Sequence, residues 1–328
     1  MVIYHYFFIF ISYKISLGVF IMAKFQIFTD SCSDLPLEDR EKYHLDYCRM
    51  NVVIDGEEKI ADLDWPEFTP EEFYGWMSAG RHLKTTQVPL TEFINRFTPY
   101  LEKGIDIMYI ACSSKCSGSI NVFELAKEQL LEQFPERKLI GIDAINCSFG
   151  EGILSILASQ KQDEGATLEE TAEYVLSQRN NIVQFATVET LTYIKAAGRI
   201  KASKAIMGNL LHKKPVFISD AHGDNYTLGT VTGTKNADME LFKGVVERLL
   251  PSKFNVVYIG QGMAQERAER LKERIQEAFK EVEVRIRWIG PIIGTTCGPG
   301  VLAVFGYGKE VTCFDGDGNK PSLDYSKI

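Results

Sequence analysis

Three short segments concentrate hydroxyl, thiol and glycine residues just where apolar runs end. The first is Thr29-Asp30-Ser31-Cys32-Ser33-Asp34-Leu35-Pro36. The second is Ala111-Cys112-Ser113-Ser114-Lys115-Cys116-Ser117-Gly118-Ser119, and the third Gly290-Pro291-Ile292-Ile293-Gly294-Thr295-Thr296-Cys297-Gly298-Pro299-Gly300. Open parallel sheets bind ligands in crevices beyond the carboxyl ends of their strands. Hydroxyls beside the free N–H groups of a helix start suit a carboxylate or a phosphate. The loop from Ser113 to Ser119 is therefore a candidate anion site, although ordinary capping and tight turning account for the same residues equally well. Asp30 is expected to anchor N–H groups of its own loop, and Cys297 to pack in the turn beside Gly298.

The competing chemistry is acyl transfer, with Ser117 or Cys297 as nucleophile. Such a group needs an activating base within reach. The chain has no G-x-S-x-G elbow, and no G-x-x-x-x-G-K-[ST] loop to cradle ATP. Its seven cysteines (32, 48, 112, 116, 147, 297 and 313) include no C-x-x-C pair, and His and Cys do not fall at zinc spacing. They read as reduced thiols of a cytoplasmic protein without metal or cofactor. His44, His82, His212 and His222 are expected to be surface or packing residues.

Around these segments the chain alternates short apolar strands with amphipathic helices, the pattern of an α/β protein. Strands are expected over 25–28, 45–54, 105–111 and 139–142, with a turn at Asp55-Gly56. Helices are expected over 69–77, 91–101, 121–134 and 150–160, and Ser33 or Asp34 could cap a further one. In the second half, helices are expected over 167–179, 189–195, 236–249 and 263–280. Strands fall at 183–188, 215–219, 226–231, 255–259, 282–288 and 301–305, the last two flanking a Gly-Pro-rich loop. The length of 328 residues suggests about two domains, placed at 22–175 and 176–328. Residues 1–21 are apolar and aromatic but carry Lys14 at their centre, which suits neither a membrane span nor a secretory signal. They are read as an extension outside the domains, with no stable membrane insertion. A net charge of −8 argues against a broad nucleic-acid surface.

Taken together, the segments resemble the DegV family. TDSCSDLP is similar to the family's TDS-x-x-DLP opening, and Lys84-Thr85-Thr86-Gln87 to its KTSQ segment, with Thr86 where Ser is usual. SSKCSGS resembles the SS-x-x-SGT loop. Tyr193-Ile194-Lys195-Ala196-Ala197-Gly198-Arg199-Ile200 resembles Y-x-x-x-GGRI with Ala197 replacing a Gly, and Lys214-Pro215-Val216 follows as a KPV strand. GPIIGTTCGPG resembles G-x-x-I-G-x-H-x-GPG, with Thr296 in the His position. The matches run in order from residue 25 to about 308. The resemblance implies a two-domain fold, each domain a sheet flanked by helices, with a fatty acid near the domain interface. It implies a binding protein rather than an enzyme: a long-chain fatty acid is held and its carboxylate presented to a separate ATP-dependent fatty acid kinase. Thr85 and Ser117, with Thr86 and Gly118 beside them, would hold the carboxylate. Thr296 would stand at the third contact, and Arg199 would belong to the surface that meets the kinase. A lipid-binding regulator without a kinase partner, or an acyl-transfer or hydrolytic enzyme, are the alternatives.

Overall fold

The computed structural model describes residues 25–200 and 213–313, so the expectations for residues 1–21 and His212 lie outside it. The described chain opens with β1 (Phe25–Asp30), α1 (Leu37–Lys42) and β2 (Leu45–Cys48). It then departs into a small antiparallel sheet of β3 (Met50–Ile54), β4 (Glu57–Ala61) and, after α2 (Pro70–Ser78), β5 (Leu83–Thr85). It returns through α3 (Leu90–Leu101), β6 (Asp106–Ala111), α4 (Ser119–Gln133) and β7 (Leu139–Asp143). Strands in the order β2-β1-β6-β7 form a parallel sheet. β6 is buried from Ile107 to Ala111, as its unbroken apolar run requires in a sheet covered on both faces.

Helices α5 (Phe149–Asp163) and α6 (Leu168–Gln178) lead to β8 (Ile182–Thr187) and α7 (Thr192–Ala197). β9 (Lys213–Ser219), β10 (Asn225–Thr232), α8 (Thr234–Arg248), β11 (Val256–Gln261) and α9 (Gln265–Ala278) follow. The last elements are β12 (Glu283–Trp288), α10 (Pro291–Cys297) and β13 (Leu302–Tyr307). The second sheet runs β10-β9-β8-β13-β11-β12, and only β11 and β12 pair in parallel. The expected boundary at 175/176 falls inside α6, and the chain enters the second sheet through the turn Arg179–Asn181. Among the described residues, no helix is long and apolar enough to cross a membrane.

α5 joins the two sheets. Every residue from Phe149 to Ser159 is buried, and all but Glu151 are apolar or small. Phe149 stacks on Tyr258 at 4.9 Å on one side, while Gly152 lies close against Leu35 on another. Glu151, within this helix, accepts the Thr29 hydroxyl at 2.5 Å and the Asp30 N–H at 3.3 Å.

Several local expectations are corrected. The single strand expected over 45–54 splits at Arg49, whose N–H and guanidinium both bond Glu92, at 3.1 and 2.8 Å. That takes Arg49 out of the ladder, so β2 stays in the parallel sheet while β3 joins the small one. Neither Ser33 nor Asp34 caps α1, which starts after Pro36 without a side-chain cap. Asp34 sits at φ +54° and instead accepts the Ser148 hydroxyl at 2.6 Å and the Gly290 N–H at 2.9 Å. The expected Gly-Pro-rich loop contains α10, with Pro291 in its first turn, where a missing N–H costs nothing. The Asp55-Gly56 turn does form, both residues at positive φ as a tight hairpin needs.

Candidate functional site

The loops that follow β1, β6 and β7 all end at one cavity, closed on the far side by α10 and by the second sheet. It encloses about 890 Å³ of free space, its open mouth included. One row of the second sheet explains the space. Phe217 of β9, Ala186 of β8 and Ala303 of β13 are direct register partners, and all three line the cavity. Two alanines side by side leave a trough where larger side chains would meet α10. The rest of the inner wall is mainly apolar, with Met50, Ile194, Ile289, Ile292 and Phe305 among its residues.

The residues expected to touch a ligand, Thr85, Thr86, Ser117, Gly118 and Thr296, all line this cavity. Thr85, Thr296 and Arg199 also line a groove that opens outward past α7 and α2, which puts these three at the mouth. Thr86 is held by its N–H on the Asn51 carbonyl at 2.9 Å. Ser117 shares a hydrogen bond of 2.9 Å with Ser119, whose hydroxyl accepts the Val88 N–H at 3.1 Å. Gly118 is needed for close approach, since a Cβ there would fall 2.2 Å from Gln87 Oε1. The Thr296 hydroxyl reaches back only to the Ile292 carbonyl at 3.5 Å, a weak bond that leaves it free to serve a ligand.

Arg199 is exposed, and it does more than face solvent. Its Nε donates to the Cys116 carbonyl at 2.9 Å and its Nη1 to the Ala197 carbonyl at 2.5 Å. Gly198, left-handed at φ +67°, ends α7 and delivers it there. Among the described cavity residues, Arg199 carries the only fixed charge. The Ser113–Ser119 loop is tied to the second sheet as well. Ser113 donates to the Gly223 carbonyl at 2.8 Å, and Asn225 donates to the Arg199 carbonyl at 2.9 Å.

Asp30 anchors N–H groups, as expected of it. Its carboxylate accepts Cys32 N–H at 2.8 Å, Cys112 N–H at 3.2 Å and the Tyr109 hydroxyl at 2.7 Å. Burial pushes its carboxyl, and that of Glu151, above the usual range, and pushes Asp34 up to about 8. Cys297 is buried, its thiol pushed up to about 12 by burial, which suits packing and not attack. Reading by segment missed Gln87, Asn225 and the number of thiols at the cavity. Gln87 was legible in KTTQ. Asn225 was not, because nothing local distinguishes it from an ordinary turn residue.

A family model described as "Uncharacterised protein, DegV family" matches residues 24–309. The chain belongs to the DegV family. A DegV domain-containing protein of Clostridium perfringens is 33% identical over 284 residues, covering 87% of this chain and 97% of that one. Among solved structures, a fatty-acid-binding DegV family protein from Thermus thermophilus superposes with a TM-score of 0.77 at 25% identity. It covers 87% of this chain and 100% of its own. The fatty-acid-binding DegV of Bacillus subtilis gives a TM-score of 0.75 at 20% identity over 88% of this chain and 100% of its own. At that identity the likeness is one of fold, a mixed α/β architecture in which helices flank the sheets.

Proposed function

We propose that this chain holds one long-chain fatty acid in the cavity and presents its carboxylate to a separate ATP-dependent fatty acid kinase. The carboxylate stands at the mouth, within reach of Thr85, Ser117 and Thr296 and beside the Arg199 guanidinium. The acyl chain runs inward along Phe217, Ala186 and Ala303. The single observation that supports this most is the polarity of the cavity: hydroxyls and the Arg199 guanidinium at the mouth, a mainly apolar wall behind. A free carboxylate is costly to bury unless paired or hydrogen-bonded, and only this end offers both. The fatty-acid-binding relative from Thermus thermophilus supports the same assignment of ligand.

Energetics favour retention by the tail. Each buried CH₂ contributes about 0.8 kcal/mol, so a tail of about 14–18 carbons supplies roughly 10–14 kcal/mol before ordering costs. A hydrogen bond to a charged carboxylate adds only about 1.5–3 kcal/mol. The head-group residues therefore set orientation and access more than affinity. Binding is favoured over acyl transfer at Cys297 because burial pushes that thiol up to about 12, leaving little thiolate to attack. Native mass spectrometry of the purified protein, followed by release and identification of lipid, tests the ligand. One fatty acid per chain is expected, and a protein that takes up none at any chain length overturns the proposal. Acyl phosphate formation on adding a fatty acid kinase and ATP tests the presentation step.

A further inference from the structure

The hairpin between β9 and β10 reaches across to the first sheet. Asp220 shapes its tip: the carboxylate accepts the His222 N–H at 2.9 Å and the Asp224 N–H at 3.0 Å, the local bonding that suits Asp to turns. Gly223, left-handed at φ +85°, then lies against the loops that follow β6 and β7. A Cβ there would fall 2.4 Å from Ser113 Oγ and 2.9 Å from Ile145 Cα. Its carbonyl accepts the Ser113 hydroxyl at 2.8 Å. The docked turn delivers Asn225, the first residue of β10, to the cavity beside Arg199.

Asn225, Arg199 and Cys116 close a ring there. The Asn225 amide nitrogen donates to the Arg199 carbonyl at 2.9 Å and to the Cys116 sulfur at 3.6 Å. Arg199 Nε donates to the Cys116 carbonyl at 2.9 Å. A carbonyl oxygen only accepts, which fixes the amide with its nitrogen toward Arg199. The ring joins the loop before α4, the end of α7 and the start of β10. The Arg199 N–H reaches the Ile194 carbonyl only at 3.4 Å, so the bond to Asn225 is the shorter of its two main-chain ties. α7 is six residues long and ends at Gly198, whose backbone no side chain restrains. Where Arg199 stands therefore depends on Asn225.

We propose that Asn225 is a positioning residue, which holds the Arg199 main chain so that the guanidinium stays on the Cys116 carbonyl at the mouth. The inference rests on the function proposed above, in which Arg199 serves transfer to the kinase. A guanidinium on its long stem samples many rotamers unless it is held. The Cys116 carbonyl holds the side-chain end and Asn225 the main-chain end. Loss of the amide frees the second, and the guanidinium spends less time at the mouth although its charge is unchanged. The cost falls on recognition of the loaded chain.

The test uses the full chain with its arginines labelled with nitrogen-15, and reads by NMR how fast the Arg199 Nε proton exchanges with water. Arg199→Lys assigns the signal by removing it. Asn225→Leu, close to Asn in size but without donors, should speed the exchange by about threefold to tenfold, the range set by loss of one ordinary hydrogen bond. Asn225→Ala should do the same, and Asn225→Gln, which keeps an amide, should recover part of the protection. In the acyl phosphate assay, with hexadecanoic acid as ligand, Asn225→Leu should raise the KM for the loaded chain by a similar factor, with the loss in KM and not in kcat. Exchange in Asn225→Leu and Asn225→Ala equal to the parent's overturns the proposal, and so does faster exchange with an unchanged KM. A parent chain that yields no acyl phosphate sinks the presentation step instead, and the exchange rates then decide on Asn225 alone.

Discussion

Ala186→Phe should separate binding from folding. Ala186 pairs with Ala303 on one side and Phe217 on the other, and this row forms the trough in which the acyl chain is proposed to lie. The added phenyl ring occupies about six carbon positions of that trough. At about 0.8 kcal/mol per displaced methylene the ligand loses roughly 5 kcal/mol. That corresponds to between three and four decades in Kd at about 1.4 kcal/mol per decade. The ring enters open space in the ligand-free protein, so the usual overpacking penalty of about 1–3 kcal/mol should be small, and the melting temperature should move by a few degrees at most. Titration with a fluorescent fatty acid reads the first effect and thermal unfolding without ligand the second. Added fatty acid should raise the melting temperature of the parent protein and not of the variant. Ala303→Phe should behave alike. Affinity within about tenfold of the parent in both variants would refute the placement of the acyl chain along this row.

Four further outcomes are expected. Thr296→Ala should change fatty-acid affinity by less than about tenfold, whereas Thr85→Ala with Ser117→Ala should cost more, since two hydrogen bonds to a charged group are lost; the same titration compares them. Arg199→Ala should keep its lipid, because an exposed charge contributes about 1 kcal/mol or less, yet fail in an acyl phosphate assay coupled to a fatty acid kinase. Asp34, held up at about 8 in the folded protein, binds a proton there that the unfolded chain releases near pH 4, so its contribution to stability falls as pH rises through that window and levels off above it. Asp34→Asn should therefore gain on the parent by up to about 1.4 kcal/mol per pH unit between pH 4 and 8 in urea unfolding, and a flat difference would refute the shift. A chain starting at Met22 should melt and bind fatty acid like the full chain, as differential scanning calorimetry and the titration would register.

The alternation of elements was legible because most helices and strands here obey their own periodicity, and the threonines and serines that line the cavity were legible through the ordered motifs of the family resemblance. What escaped depended on distant partners. Arg49 breaks a strand only because Glu92, more than forty residues away in sequence, takes its N–H. Asp34 reads as a helix cap until Ser148 and Gly290 claim its carboxylate. Proline and glycines disguised α10 as a loop, although Pro291 sits where a first helical turn tolerates it. The trough is invisible for another reason: Ala186 and Ala303 matter only as neighbours, and register between strands far apart in sequence cannot be read from either strand alone. Arg199 was read as a surface residue, and its hold on the Cys116 carbonyl, which makes it part of the cavity wall, came only with the fold.

Helix α5 carries a consequence for how the molecule comes apart. Eleven consecutive buried residues, Phe149 to Ser159, serve the parallel sheet on one flank and the mixed sheet on the other. Peeling away either sheet would bare a strip of Phe, Ile and Leu to water and leave the Glu151 carboxyl without its shelter. Neither half can thus melt early at low cost, and the physical expectation is one cooperative transition in which denaturation curves followed at either end of the chain coincide. Amide hydrogens of α5 should exchange last, at the rate set by global unfolding. A ligand bound in the cavity, against Cys147 and Ser148 just ahead of this helix, should then slow the unravelling of both sheets, not just of the loops it touches.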